Sequence, residues 1–332
     1  MGLFNRGKEK NMAAKQKPVY VINGFLDSGK SSFFSYTLGQ PYFKSQEKDP
    51  TLLILCEEGE VEYDEKLLKW SNTVLEKIEN EADFTPATLM ALEAKHRPCR
   101  VLIEYNGMWD FRNFRLPKAW KLEQEITTID ASTFAMYFSN MKSLLAEQIR
   151  NSELIMFNRC DGIDEKALLT YKRNVRAINQ KAELIFEDAN GEIDMTTEED
   201  LPYNVNDDPI VLEGIHYGIW YLDAMEHPAR YLGKRICYTG MAMVPTDFPK
   251  GYFVPGRMAM TCCAQDMQFL GYACRLNGLE APAEKQWVRV TGVIEKENFA
   301  PYEGEGIIIR AEKIEKCPEP KNPIIDFSAP QN

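Results

Sequence analysis

Gly24-Phe25-Leu26-Asp27-Ser28-Gly29-Lys30-Ser31 is the stretch that decides how the rest of the chain is read. It fits G-x-x-x-x-G-K-[ST], the pattern of a phosphate-binding loop. The apolar run Val19–Asn23 precedes it, and Ser32-Phe33-Phe34 opens a helix after it. Glycines at Gly24 and Gly29 let the backbone curl so that its N–H groups face phosphate oxygens, with Ser28, Ser32 and Asp27 on the rim of the loop. Lys30 is placed to reach the β- and γ-phosphates, and the Ser31 hydroxyl to ligate Mg²⁺. Asp27 brings a negative charge close to the phosphates.

Outward from this loop, short apolar runs alternate with longer amphipathic segments. Val19–Asn23, Leu52–Cys56, Val101–Glu104, Ile126–Ile129, Leu154–Phe157 and Ala182–Phe186 read as buried parallel strands. Tyr63–Ile78, Thr85–Lys95, Ser139–Arg150 and Glu165–Ile178 carry apolar residues at helical spacing, for example Leu67, Leu68, Val74, Leu75 and Ile78. After about residue 188 the texture changes. Asn190–Pro209 is acidic and turn-rich, Val211–Glu226 reads as one helix, and Arg235–Val244, Arg257–Cys263, Gly271–Leu276, Trp287–Ile294 and Ile307–Lys316 read as strands. The fold class expected is α/β: a P-loop NTPase domain with a mostly parallel sheet, followed by a small all-β, OB-like domain. The expected divisions are a disordered arm at 1–17, the P-loop domain at 18–190, a linker and helix at 191–228, a β-barrel-like domain at 229–318, and a proline-rich tail at 319–332 lying loosely on the surface.

Two later strand ends add chemistry. Val101-Leu102-Ile103-Glu104 ends in a carboxylate that can hold Mg²⁺ directly or through water. Leu154-Ile155-Met156-Phe157-Asn158-Arg159-Cys160-Asp161 ends in N-x-x-D. The Asp161 carboxylate can accept from guanine N1–H and N2–H₂ together, a donor pair that adenine lacks. Asn158 is expected to brace the loop or reach N7, and the Arg159 stem to cover the base.

With 39 Lys and Arg against 50 Asp and Glu, the net charge is −11, which argues against nucleic-acid binding and broad adhesion to anionic lipid. No apolar run approaches a membrane span, and the basic start of the chain lacks the apolar core of an export signal. The expectation is a cytoplasmic protein without direct membrane insertion. Its eight cysteines are too sparse for a disulfide scaffold and are expected as reduced thiols.

These motifs resemble the CobW/HypB/UreG group of P-loop GTPases, and within it the CobW-like branch. G-F-L-G-S-G-K-T of that branch matches Gly24–Ser31. N-E-F-G-E-V-G-I-D matches Cys56-Glu57-Glu58-Gly59-Glu60-Val61-Glu62-Tyr63-Asp64, and I-E-T-T-G matches Ile103-Glu104-Tyr105-Asn106-Gly107. V-D-A matches Ile129-Asp130-Ala131, and N-K-x-D matches Asn158–Asp161. The resemblance implies GTP and Mg²⁺ as ligands. It also implies slow GTP hydrolysis coupled to delivery of a transition metal, often zinc or cobalt, to a client protein. It places Glu57 and Glu60 on a switch loop, where with Lys30 and Glu104 they form the candidate catalytic set. The C-x-C-C metal motif of that branch is missing, since Lys77–Thr88 contains no cysteine. Cys56 and Cys99 are expected to pack on strands. Residues 229–320 are instead similar, through Arg257–Asp266 and the flanking strands, to the C-terminal domain of a bacterial family paired with a permease.

In that second half Cys262, Cys263, Asp266 and Cys274 are close in sequence and form a candidate soft-metal site, with core packing as the alternative. Three function classes follow. The first is a GTPase with a metallochaperone or metal-homeostasis role. The second is a nucleotide-gated adaptor for a membrane permease, with little hydrolysis. The third is a P-loop small-molecule kinase, which Asp161 disfavours because it selects against ATP. A homo-oligomer is compatible with all three.

Overall fold

The structure is a computed structural model and describes residues 16–327 except 47, 58, 60, 61, 194, 196–200 and 261–266. The chain divides into two units. The first takes the chain up to Asp130 with Asn151–Arg159 and Glu183–Glu187; the second takes Ala131–Arg150, Cys160–Ala182 and the chain from Asp188.

In the first unit the strands are β1 (Lys17–Asn23), β2 (Thr51–Leu55), β3 (Thr73–Lys77), β4 (Arg100–Glu104), β5 (Trp120–Asp130), β6 (Leu154–Asn158) and β7 (Glu183–Asp188). They lie in the order β3-β2-β4-β1-β5-β6-β7, with parallel pairing throughout. Val19, Val21, Ile22, Leu52 to Ile54 and Val101 to Ile103 are buried, as continuous apolar strands of a sheet covered on both faces should be. The chain winds outward from β1 to β3, returns to β4, then continues outward on the other side from β5. The carboxyl end of β1 therefore sits where the winding direction reverses, the place where open α/β sheets bind ligands. Register sets Ile22 against Glu104 and Asn23 against Thr127, bringing the Glu104 strand end beside the glycine-rich loop.

The helices of this unit are α1 (Lys30–Leu38), α2 (Glu65–Ser71) and α3 (Pro86–His96). The long helix expected over Tyr63–Ile78 is a short helix and a strand. Asp64 caps α2 by accepting from Lys66 N–H at 2.7 Å, and Asn72 ends it in the left-handed region at φ 55°. Thr73-Val74-Leu75 then pairs with β2 as β3. The β-branched pair prefers the pleated surface, and a register bond to β2 overrides helical spacing.

The second unit holds α4 (Ala131–Asn140), α5 (Lys142–Ile149), α6 (Glu165–Ile178), the two-residue β8 (Gly191–Glu192), β9 (Ile210–Leu212) and α7 (Ile215–Glu226). It continues with β10 (Arg235–Met243), β11 (Tyr252–Met260), β12 (Met267–Gly271), β13 (Ala273–Arg275), β14 (Trp287–Phe299), β15 (Gly304–Lys316) and β16 (Ile324–Asp326). The path β10-β11-β13-β15-β14 closes on β10, so five strands form an OB-like barrel with few free edges. Tyr217 and Trp220 of α7 are fully buried and join the barrel core with Tyr238 and Phe253. Glu226 of α7 pairs with Lys172 at 2.9 Å and with Arg176, both on α6.

Two expectations for this region are corrected. Val211–Glu226 is not one helix: Ile210–Leu212 pairs in parallel with β10, and Gly214 at φ 53° starts α7. The described part of the tail, residues 319–327, is not loose. Ile324–Asp326 pairs with β11, and Ile325 and Phe327 are buried against Gly218. The buried Arg257 guanidinium donates to the carbonyls of Pro323, at 3.0 Å, and Asn322, fastening the strand. Among the described residues no helix is long and apolar enough to cross a membrane.

Candidate nucleotide-binding site

Gly29 caps α1 at φ +99°, a conformation natural only to glycine, and a Cβ there would stand 2.4 Å from Asn158 Nδ2. Lys30 and Ser31 are the first residues of α1 and are buried, so the helix start presents backbone N–H groups beside them. Lys30 is only 3% exposed. Its ammonium donates to the carbonyls of Gly24 at 2.8 Å and Phe25 at 2.9 Å and pairs with Glu57 Oε2 at 2.6 Å. A buried cation needs that full set of acceptors. Glu57 therefore takes up the one face of the Lys30 ammonium that the loop carbonyls leave.

Ser31 Oγ donates to Glu104 Oε1 at 2.7 Å, and the Tyr63 hydroxyl donates to Glu104 Oε2. Burial pushes the Glu104 carboxyl above its usual range, and the two hydroxyl donors oppose that shift. Burial also pushes the Tyr63 phenol far up, with the Glu104 charge adding to it. A serine hydroxyl and a carboxylate are hard oxygen donors, the kind Mg²⁺ takes.

A cleft is lined by Asp27, Gly29, Lys30, Ser31, Ser32, Glu57, Glu104 and Arg159, with Leu26 and Gly59 as members not foreseen from sequence. Gly24 and Ser28 lie buried under the loop, Ser28 Oγ sharing a hydrogen with Thr128 Oγ1 at 2.9 Å. Asn158 Nδ2 donates to Ser28 O at 2.6 Å, the bracing role of the two expected. Arg159 donates to Asp27 O at 2.9 Å and pairs with Asp130, so its guanidinium is held by the loop. Asn106 Nδ2 donates to Cys56 O at 3.2 Å, tying the Glu104 loop to the start of the Glu57 loop.

Beneath the loop sits a second buried carboxylate. Glu125 accepts from Asn23 Nδ2 at 3.4 Å and Ser152 Oγ at 3.3 Å, and burial pushes its pKa up to about 7. A raised carboxyl contributes stability that is complete below its unfolded pKa and is lost as pH rises through the folded value. Wild-type protein should lose about 2 to 3 kcal/mol from this group between pH 5 and pH 8. Glu125→Gln should flatten that loss, seen as a higher denaturation midpoint than wild type at pH 8 only. Parallel curves for the two proteins at both pH values would refute it.

The CobW/HypB/UreG nucleotide-binding domain matches residues 18–186. The chain belongs to the CobW/HypB/UreG family. A second match, to the DUF1980 C-terminal domain, covers residues 189–325. Among solved structures, the hydrogenase maturation factor HypB of Archaeoglobus fulgidus is similar at 15% identity and TM-score 0.37, over 53% of this chain and 83% of that one. The Zn(II)-bound YjiA GTPase of E. coli is similar at 17% identity and TM-score 0.40, over 80% and 92%. No curated relative matches.

As a CobW/HypB/UreG protein this chain differs where the family's cysteine motif would fall. Phe84 fills that stretch and stacks on Phe114 at 5.4 Å, with the Tyr105 ring edge-on at 5.3 Å. Among the described residues no group of three or more His, Cys, Asp or Glu could hold a metal ion. Cys56 is buried, and burial pushes its thiol far up, keeping it protonated. Cys99, expected to pack on a strand, is exposed, because it lies just before β4 begins at Arg100. Burial pushes the Cys274 thiol up in the same way inside the barrel. Cys262, Cys263 and Asp266 lie outside the described residues, as does Glu60. Asp161 accepts from Ala189 N–H at 3.0 Å through Oδ1 alone. Tyr63, like Leu26 and Gly59, is a residue that sequence reasoning missed, and its signal was a hydroxyl where the family motif carries isoleucine.

Proposed function

We propose that this chain binds GTP with Mg²⁺ and hydrolyses it slowly, in a metallochaperone or metal-homeostasis role. The nucleotide-binding domain is assigned to 18–190, with 191–228, 229–318 and 319–332 as linker and helix, barrel-like domain and tail. The observation that carries the reading is the convergence of Lys30, Glu57, Ser31 and Glu104 on one cleft at the carboxyl end of β1. Ser31 and Glu104 would hold Mg²⁺, which when bound neutralises charge on the transferring phosphoryl group. Lys30 would exchange Glu57 for a phosphate oxygen, leaving that carboxylate and Glu60 to orient water. Asp161 would select guanine. Cys262, Cys263, Asp266 and Cys274 would together carry any soft-metal site, since a coordinating thiol gives up its proton to the ion it binds. The second reading is a nucleotide-gated adaptor whose barrel, within the part that the DUF1980 C-terminal domain matches, docks on a permease.

Turnover of GTP by the full chain, with Mg²⁺ and a zinc titration over a chelated baseline, separates these readings. Micromolar GTP binding, lost at least 100-fold in Lys30→Ala, is expected from one buried charged contact worth about 3 kcal/mol. A zinc-dependent rise abolished by Cys262→Ala supports the metal role. Binding without zinc response or turnover supports the adaptor, and equal binding of ATP would sink the guanine assignment.

A further inference from the structure

Both oxygens of Glu104 are engaged: Ser31 Oγ donates to one and the Tyr63 hydroxyl to the other. Tyr63, Ser31 and Glu104 are all buried, so these bonds are shielded from competing water. Tyr63 belongs neither to the phosphate loop nor to β4. It stands next to Asp64, the residue that caps α2, and shortly after Glu57 and Gly59 of the cleft lining. The CobW-like motif N-E-F-G-E-V-G-I-D carries isoleucine at this position, which has no hydroxyl to give.

We infer that Tyr63 is a positioning residue for the magnesium side of the site. Its O–H fixes the plane of the Glu104 carboxylate, and Glu104 in turn holds the Ser31 hydroxyl proton. With its proton committed there, the Ser31 oxygen keeps its lone pairs for a cation. The same bond ties the segment leading into α2 to the carboxylate, so cation binding and the order of that segment are coupled. This rests on the Mg²⁺–nucleotide reading above.

The test uses the full chain as wild type, Tyr63→Phe and Tyr63→Ile. Phe keeps the ring and its packing, and Ile restores the residue of the family motif. A fluorescent guanine nucleotide is titrated first with EDTA, then at fixed nucleotide with increasing Mg²⁺. Backbone hydrogen exchange over residues 62–68 is followed in both conditions. Both variants should match wild type in EDTA within twofold. Their Mg²⁺ half-saturation should rise about tenfold, the effect of losing one buried hydrogen bond to a charged group. Wild type should show Mg²⁺-dependent protection of 62–68, and both variants should lack it. An unchanged half-saturation overturns the inference, and so does an equal loss of affinity in EDTA and in Mg²⁺, which would make Tyr63 a packing residue only. Wild type that binds nucleotide equally well with and without Mg²⁺ overturns this inference alone. Wild type that binds no nucleotide overturns the nucleotide reading and this inference with it.

Discussion

Asp161→Asn should cost at least 100-fold in GTP affinity and bring xanthosine triphosphate from negligible to measurable binding. A carboxylate accepts from both N1–H and N2–H₂ of guanine, whereas an amide sets its own N–H₂ against one of those donors. Xanthine replaces the exocyclic amine with a carbonyl, which that N–H₂ can satisfy. Leaving a donor unpaired in a recognition contact costs about 3 kcal/mol, hence the factor of 100. The local turn should survive, since the amide oxygen can still accept from Ala189 N–H, the bond that Asp161 Oδ1 makes at 3.0 Å. Equilibrium binding of both nucleotides to both proteins decides the matter. A GTP loss below threefold would move base recognition elsewhere.

Gly107→Ala should abolish nucleotide binding with a smaller effect on the fold. A Cβ at Gly107 would stand 2.1 Å from Gly24 O, 2.7 Å from Gly24 C and 2.8 Å from Phe25 Cα. All three are backbone atoms of the phosphate loop, so no side chain can step aside, and the loop itself must move. Overpacking of this kind costs about 1 to 3 kcal/mol in stability. The larger loss falls on affinity, because Gly24 and Phe25 carbonyls hold the Lys30 ammonium. Gly304→Ala is the control, since nothing lies within 4 Å of a Cβ there. The expected result is a folded Gly107→Ala protein with GTP affinity reduced more than 100-fold beside an unaffected control. Retained binding would show that the loop tolerates the shift.

The phosphate loop was legible because its determinants are local: Gly29 must be left-handed, Lys30 and Ser31 must follow it, and β1 must be apolar. Glu104 was legible for the same reason, as a carboxylate ending an apolar strand. Thr73–Lys77 was not, because Val74, Leu75 and Ile78 satisfy helical spacing with Leu67 and Leu68. Only the pairing of Thr73 to Lys77 with Thr51 to Leu55 makes a strand of it. Tyr63 and Arg159 were legible as residue types but not as contacts. Their partners, Glu104 and Asp130, are 41 and 29 positions away in sequence. The tail misled for a related reason: proline content describes local stiffness, while the acceptors for Arg257 lie 65 and 66 residues further on.

That fastened tail also bears on how the protein is made. Chains grow from the amino terminus, and parallel β16 emerges after every other strand of its sheet. Until Asn322 and Pro323 have been added, the Arg257 side chain has neither of its carbonyl acceptors, and the β11 edge that β16 covers stays open. The strands of the first unit are complete by Asp188, so that half can consolidate during translation. The β11 edge must wait for Ile324–Asp326 to cover it, which makes that side of the second unit the part of the newborn protein most in need of shelter from its neighbours.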